Sequence, residues 1–265
     1  MKKYTLAFVF LLSFLIIGCT TKPYCDNEFC NENISIICKN CTVQYVPRFY
    51  EYQSEIYNCL VEYLSFKPEK IIYTLNTYNS CYGDCSINAY SGRGIITMNQ
   101  FPIFENKEST NIKADVHETT HAFIYFMLGE IPSWFDEGVA IYVSSNLNCI
   151  PQQLEETRLS DPSLNEFYIK FKNGESKLNE FLTPHEKGAI FFFILEKEYK
   201  CDETCVLQLI TNLQKYKGQK ITDEVIKNEA EQILKTNLTK LFQFLEPNYT
   251  KPMINETQKV FIFTS

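Results

Sequence analysis

Asp115-Val116-His117-Glu118-Thr119-Thr120-His121 is the stretch on which the reading of this chain turns. Its pattern is H-E-x-x-H. On a helix, residues four apart project from one face, so His117 and His121 would stand as a pair of imidazoles. Two such rings can hold one zinc ion, and Glu118, one step round the helix, can reach a water on it. The chain has only three histidines, so two at this spacing are informative. The plain alternative is a surface helix whose histidines pair with carboxylates.

A catalytic zinc takes three protein ligands and leaves one position for water, so a third ligand must come from elsewhere. Ser109, Thr110 or Asn111 can cap the helix and Gly129 ends it, with Val116, Phe123, Ile124 and Met127 on its packing side. Pro132-Ser133 opens a second helix, from Trp134 to about Ser144, with Ser133 as N-cap and Trp134, Val139 and Tyr142 facing the core. An antiparallel pair would bring Glu137 back over both histidines. Asp136 lies about 100° round the helix from Glu137, so only one of the two can face the metal. His185, the remaining histidine, would make a three-histidine site instead.

The segment Pro132-Ser133-Trp134-Phe135-Asp136-Glu137-Gly138-Val139-Ala140, following H-E-x-x-H, resembles the gluzincin metallopeptidases, in particular bacterial peptidase MA-like domains. The resemblance runs from about residue 45 to 245. It implies an α+β, zincin-like fold with a small sheet lobe, a central metal-binding helix and a helical C-terminal half. It implies one Zn2+ held by His117, His121 and Glu137, with Glu118 as general base for peptide-bond hydrolysis. A peptide or protein substrate would lie extended along an edge strand, here Gly94–Asn99. A hydrogen-bond donor to the oxyanion is implied shortly before the glycine of Lys187-Gly188-Ala189-Ile190-Phe191-Phe192; His185 takes that place, and Tyr168 is a second candidate. The longer metzincin pattern is absent, since positions 124 and 127 are Ile and Met.

Upstream, residues 44–66 carry Phe49, Tyr52, Ile56, Leu60 and Leu64 at helical spacing. Lys67-Pro68-Glu69-Lys70 breaks this helix. Ile71–Leu75 reads as a buried strand, residues 76–92 as a loop stapled through Cys81 and Cys85, and Gly94–Asn99 as a second strand. Gly92 and Gly94 suit a bend or a close backbone approach. Downstream, residues 146–180 read as loop with short helices. Thr183-Pro184-His185-Glu186 is a capping box with Pro at the first helical position. The helix it opens is apolar for nearly its full girth. Further helices are expected over 202–216 and 223–245, and a final strand over Val260–Phe263. No internal repeat or low-complexity segment stands out.

Residues 1–18 have a charged start, an apolar run too short for a bilayer span, and the ending Ile16-Ile17-Gly18-Cys19. That ending resembles a bacterial lipobox. It implies a signal peptide over 1–18, lipid on Cys19, a tether over 19–43 and the zinc metallopeptidase-like domain over 44–265. The expected location is the bacterial cell envelope, outside the cytoplasm and held to a membrane by the lipid. Besides Cys19 there are ten cysteines, an even number that suits disulfides in an exported chain. Cys38-x-x-Cys41 lacks the second C-x-x-C of a zinc site. Asn-x-Ser/Thr at Asn33, Asn40, Asn237, Asn248 and Asn255 is incidental in so Asn-rich a chain. The 265 residues, 45% of them hydrophobic, suffice for a sizeable core, and a net charge of −7 with no basic block argues against nucleic acid as a partner. The competing function is a non-catalytic surface lipoprotein of zincin-like fold that acts by binding.

Overall fold

The computed structural model of the chain describes residues 29–40, 46–76, 89–92, 94–98, 112–147, 162–175 and 182–246. These residues form an α+β fold dominated by helices, with one four-stranded sheet. β1 (Ile34–Asn40) leads through α1 (Val46–Leu64) into β2 (Ile71–Asn76). β3 (Ala89–Gly92) and β4 (Ile95–Met98) follow, and the sheet order is β1-β2-β4-β3. β1, β2 and β4 run parallel; β3 is antiparallel to β4.

Three expectations change here. Within the tether expected over 19–43, the described part is folded, because Ile34–Asn40 pairs along β2 and buries Ile34 and Ile36. The expected loop over 76–92 ends in strand β3, and its Cys81–Cys85 staple lies outside the described residues. The strand over Gly94–Asn99 is not an edge: β4 is hydrogen-bonded to β2 on one side and β3 on the other. Its backbone is therefore already occupied, and β3 holds the outer position. The leader, Cys19, the candidate caps Ser109 to Asn111 and the Val260–Phe263 strand also lie outside the described residues.

The sheet's inner face follows from period-two alternation. Ile71, Tyr73 and Leu75 are buried, as is Ile96 on β4, whereas Ile95 is exposed. Val46, Phe49, Ile56 and Leu60 place α1 against this face at helical spacing. Gly94 adopts a positive φ, and a Cβ there would lie 2.4 Å from the Phe126 ring, so only glycine admits the approach of the next helix.

That helix is α2 (Ile112–Leu128), which carries H-E-x-x-H and ends at Gly129 with φ 83°. The following turn leads into α3 (Ser133–Asn146). Pro132, not Ser133, occupies the N-cap position; no side chain caps it, and its carbonyl accepts from the Phe135 and Asp136 N–H groups at 2.9 and 3.1 Å. α4 (Pro162–Lys172) is a helix within the segment read as loop with short helices. α5 (Pro184–Tyr199) begins with the expected capping box, both halves present. α6 (Glu203–Leu213) continues into a 3-10 turn over Gln214–Tyr216. The single helix expected over 223–245 is two, α7 (Asp223–Leu234) and α8 (Thr239–Leu245), broken where Lys235 turns left-handed at φ 52°.

α3 and α5 are the most intimately packed helices. A Cβ on Gly188 would lie 2.3 Å from the Trp134 carbonyl oxygen and 2.5 Å from the Gly138 Cα. Phe135, Phe191 and Phe192 fill the space around that crossing and are fully or almost fully buried. Each such side chain contributes roughly 2–3 kcal/mol by removal from water. A disulfide joins Cys201, just beyond the end of α5, to Cys205 in the first turn of α6. Cys30, Cys38 and Cys59 are also disulfide-bonded, so Cys38 is no thiolate ligand. Among the described residues no helix is long and apolar enough to cross a membrane.

Candidate metal centre

α2 and α3 form an antiparallel hairpin, and the metal-ligand candidates face each other across it. His117 Nε2 and His121 Nε2 are 3.1 Å apart, with ring planes nearly perpendicular. Glu137 Oε2 lies 3.2 Å from His117 Nε2 and 3.5 Å from His121 Nε2. These three side chains form a group that could hold a metal ion, all donor atoms lying within 4.8 Å of one another. The imidazoles keep only 12 and 10% of their side-chain surface, and Glu137 27%.

The donor set fits a metal. Glu137 Oε2 is buried and approached by three imidazoles, yet it makes no hydrogen bond of acceptable angle. Three ligand atoms converging on one point are what a cation requires, and the two-His, one-carboxylate set is a known zinc combination.

Asp136 faces elsewhere, as the 100° offset requires. Its Oδ2 lies 2.9 Å from His121 Nδ1, on the side of the ring away from Glu137; this is ion-pair reach, though the angle falls short of a hydrogen bond. Asp136 is therefore placed behind a ligand, where a carboxylate orients an imidazole and raises its basicity. Sequence reasoning weighed it only as a rival ligand; its position next to Glu137 was the available signal.

His185 reaches the site from the first turn of α5. Its Nδ1 is 2.6 Å from Glu137 Oε2 and its ring centroid 5.1 Å from that of His117. Gly188 makes this possible, since it lets α5 lie against α3 one turn from His185. Lys187 adds to the seam, lying 4.7 Å over the Trp134 ring and 3.5 Å from Asp223. Tyr168, the other candidate donor, is engaged elsewhere: its hydroxyl donates to Glu198, 13 residues and about 20 Å along α5 from His185.

Glu118 flanks the ligands on α2. Burial pushes its carboxyl up to about 7. Burial also pushes His117 down, to about 4, against the pull of Glu137. For His121 burial again acts downward, but Asp136 and Glu137 outweigh it and hold the ring up at about 10. Glu137 is held far below the usual carboxylate range, because the three histidines outweigh its own burial.

Comparison of the sequence with known proteins finds no matching family model and no matching curated protein.

Proposed function

We propose that this chain is a zinc-dependent metallopeptidase of gluzincin type, in a zincin-like fold, acting on a peptide or protein substrate. One observation carries the reading: His117, His121 and Glu137 converge within 4.8 Å, and the half-buried Glu118 sits on the same helix as the two histidines. Zinc, when bound there, supplies a Lewis acid and lowers the pKa of a water to about 7.

The chain's own residues perform the rest. His117, His121 and Glu137 are the ligands, and Asp136 steadies His121. Glu118 takes a proton onto its carboxylate from the attacking water and passes it to the departing amine. A carboxyl group raised to about 7 can accept and release that proton near neutral pH. His185 stands at the rim, 38% exposed, where it can donate to a carbonyl oxygen as charge develops. The substrate pairs along the outer strand Ala89–Gly92 instead of Gly94–Asn99, since main-chain recognition needs unpaired backbone groups. The leader reading adds a lipid on Cys19 and a site outside the cytoplasm; disulfide-bonded cysteines suit that compartment.

The test is zinc content, by mass spectrometry, of oxidatively folded residues 20–265, with Glu137→Ala and Glu118→Gln beside it. The proposal expects one zinc per wild-type chain, loss of zinc in Glu137→Ala, and retained zinc with abolished peptide cleavage in Glu118→Gln. A folded wild-type chain that takes up no zinc refutes the reading and leaves a binding protein.

A further inference from the structure

The side of α2 that faces away from the ligands carries a buried polar contact in an otherwise apolar layer. Thr119 lies about 200° round the helix from His117 and 160° from His121, so its side chain leaves the helix nearly opposite the metal seam. It is fully buried. Its hydroxyl is 3.0 Å from the Tyr73 hydroxyl on β2 and donates to Gln53 Oε1 on α1 at 3.5 Å. With that donation made, Tyr73 O–H is the donor to Thr119 Oγ1. The Tyr73 and Phe49 rings pack nearly perpendicular, with centroids 5.6 Å apart. One hydroxyl therefore ties α2 to both α1 and the sheet. The neighbouring Thr120 does nothing of the kind: it donates to Val116 O within its own helix.

Apolar packing alone lets a helix rotate or slide by small amounts at little cost, whereas a hydrogen bond specifies one rotation. The arrangement is also costly. Gln53 is completely buried, and among the described residues its Nε2 has no hydrogen-bond partner. A leucine at 53 and a valine at 119 would fill the same space without that penalty. The polar trio is thus poor at adding stability and well suited to fixing orientation.

We infer that Thr119, through Tyr73 and Gln53, is a positioning residue that sets the rotation of α2 so that His117 and His121 meet Glu137. The inference rests on the metal reading above. Zinc affinity is measured by competition with a chromogenic chelator on the oxidatively folded chain, and the urea midpoint of the same variants is measured without metal. Thr119→Val should bind zinc about tenfold more weakly, the lower end of what orienting partners of ligands contribute. Its urea midpoint should fall, since the buried Gln53 Oε1 loses the hydroxyl that donates to it. Thr119→Ser, which restores the hydroxyl, should recover wild-type affinity. Tyr73→Phe keeps the ring, removes the donor, and should weaken zinc in the same way, which covers a Thr119→Val chain that fails to fold. Wild-type zinc affinity in Thr119→Val or Tyr73→Phe overturns the inference while leaving the metal site standing. So does equal weakening in Thr119→Ser and Thr119→Val. A wild-type chain that binds no divalent metal overturns both.

Discussion

Gly188→Ala is the sharpest perturbation of this site that alters no polar side chain. The added Cβ would lie 2.3 Å from the Trp134 carbonyl oxygen and 2.5 Å from the Cα and N of Gly138. Ordinary carbon contacts begin near 3.4 Å, so α3 and α5 must part by about 1 Å. The obstructing atoms are backbone, which cannot swing aside as a side-chain tip does. Overpacking of this kind costs about 1–3 kcal/mol, and the better helix propensity of Ala returns about 1 kcal/mol. Because the clash is with backbone the cost lies at the upper end, for a net loss of about 2 kcal/mol. The same displacement would stretch the 2.6 Å contact between His185 Nδ1 and Glu137 Oε2 to about 3.5 Å and weaken that ion pair. Urea unfolding of the metal-free chain measures the first effect, and zinc affinity with kcat on a peptide substrate measures the second. A Gly188→Ala chain of wild-type stability and wild-type activity would refute the claim that this crossing holds the site together.

Two further predictions concern charge. Burial raises Glu118 from 4.5 to about 7, so its contribution to stability is complete below pH 4.5 and is lost as pH rises through 7. Metal-free Glu118→Gln should therefore match the wild type at pH 4 and exceed it by about 3 kcal/mol at pH 8, read from urea midpoints; equal stability at pH 8 would contradict the burial argument. Asp136→Ala should weaken zinc binding roughly tenfold without changing its stoichiometry, since the residue stands behind a ligand. Complete loss of zinc from that variant would instead make Asp136 a ligand.

The parts of the site legible in the sequence were those written in local spacing. His117 and His121 share a face because of helical geometry, Glu137 follows across a short turn, and Thr183 with Glu186 announces the start of α5. The illegible parts depend on partners distant in the chain. β1 is a short apolar run between cysteines and asparagines, and only its pairing with β2 makes it strand. Whether Gly94–Asn99 was edge or interior depended on β3, a four-residue strand with no clear alternation. Lys235 ends α7 in a conformation that glycine or asparagine would have signalled, and lysine does not. The offset between Asp136 and Glu137 showed that they diverge, but not that Asp136 would meet the far side of His121.

The three candidate ligands sit on one helical hairpin, His117 and Glu137 being only 20 positions apart. The groups that adjust them are remote: Gln53 and Tyr73 come much earlier in the chain, and Gly188 with His185 much later. Capture of a metal is thus a short-range event in chain assembly, available as soon as α2 and α3 meet. Tuning of the captured metal is a long-range one that waits for the sheet behind and α5 in front. A chain emerging from its N-terminus would have the sheet and hairpin before α5, so a loaded but unfinished centre precedes the competent one. On the proposed function, activity would then appear only when α5 docks on α3.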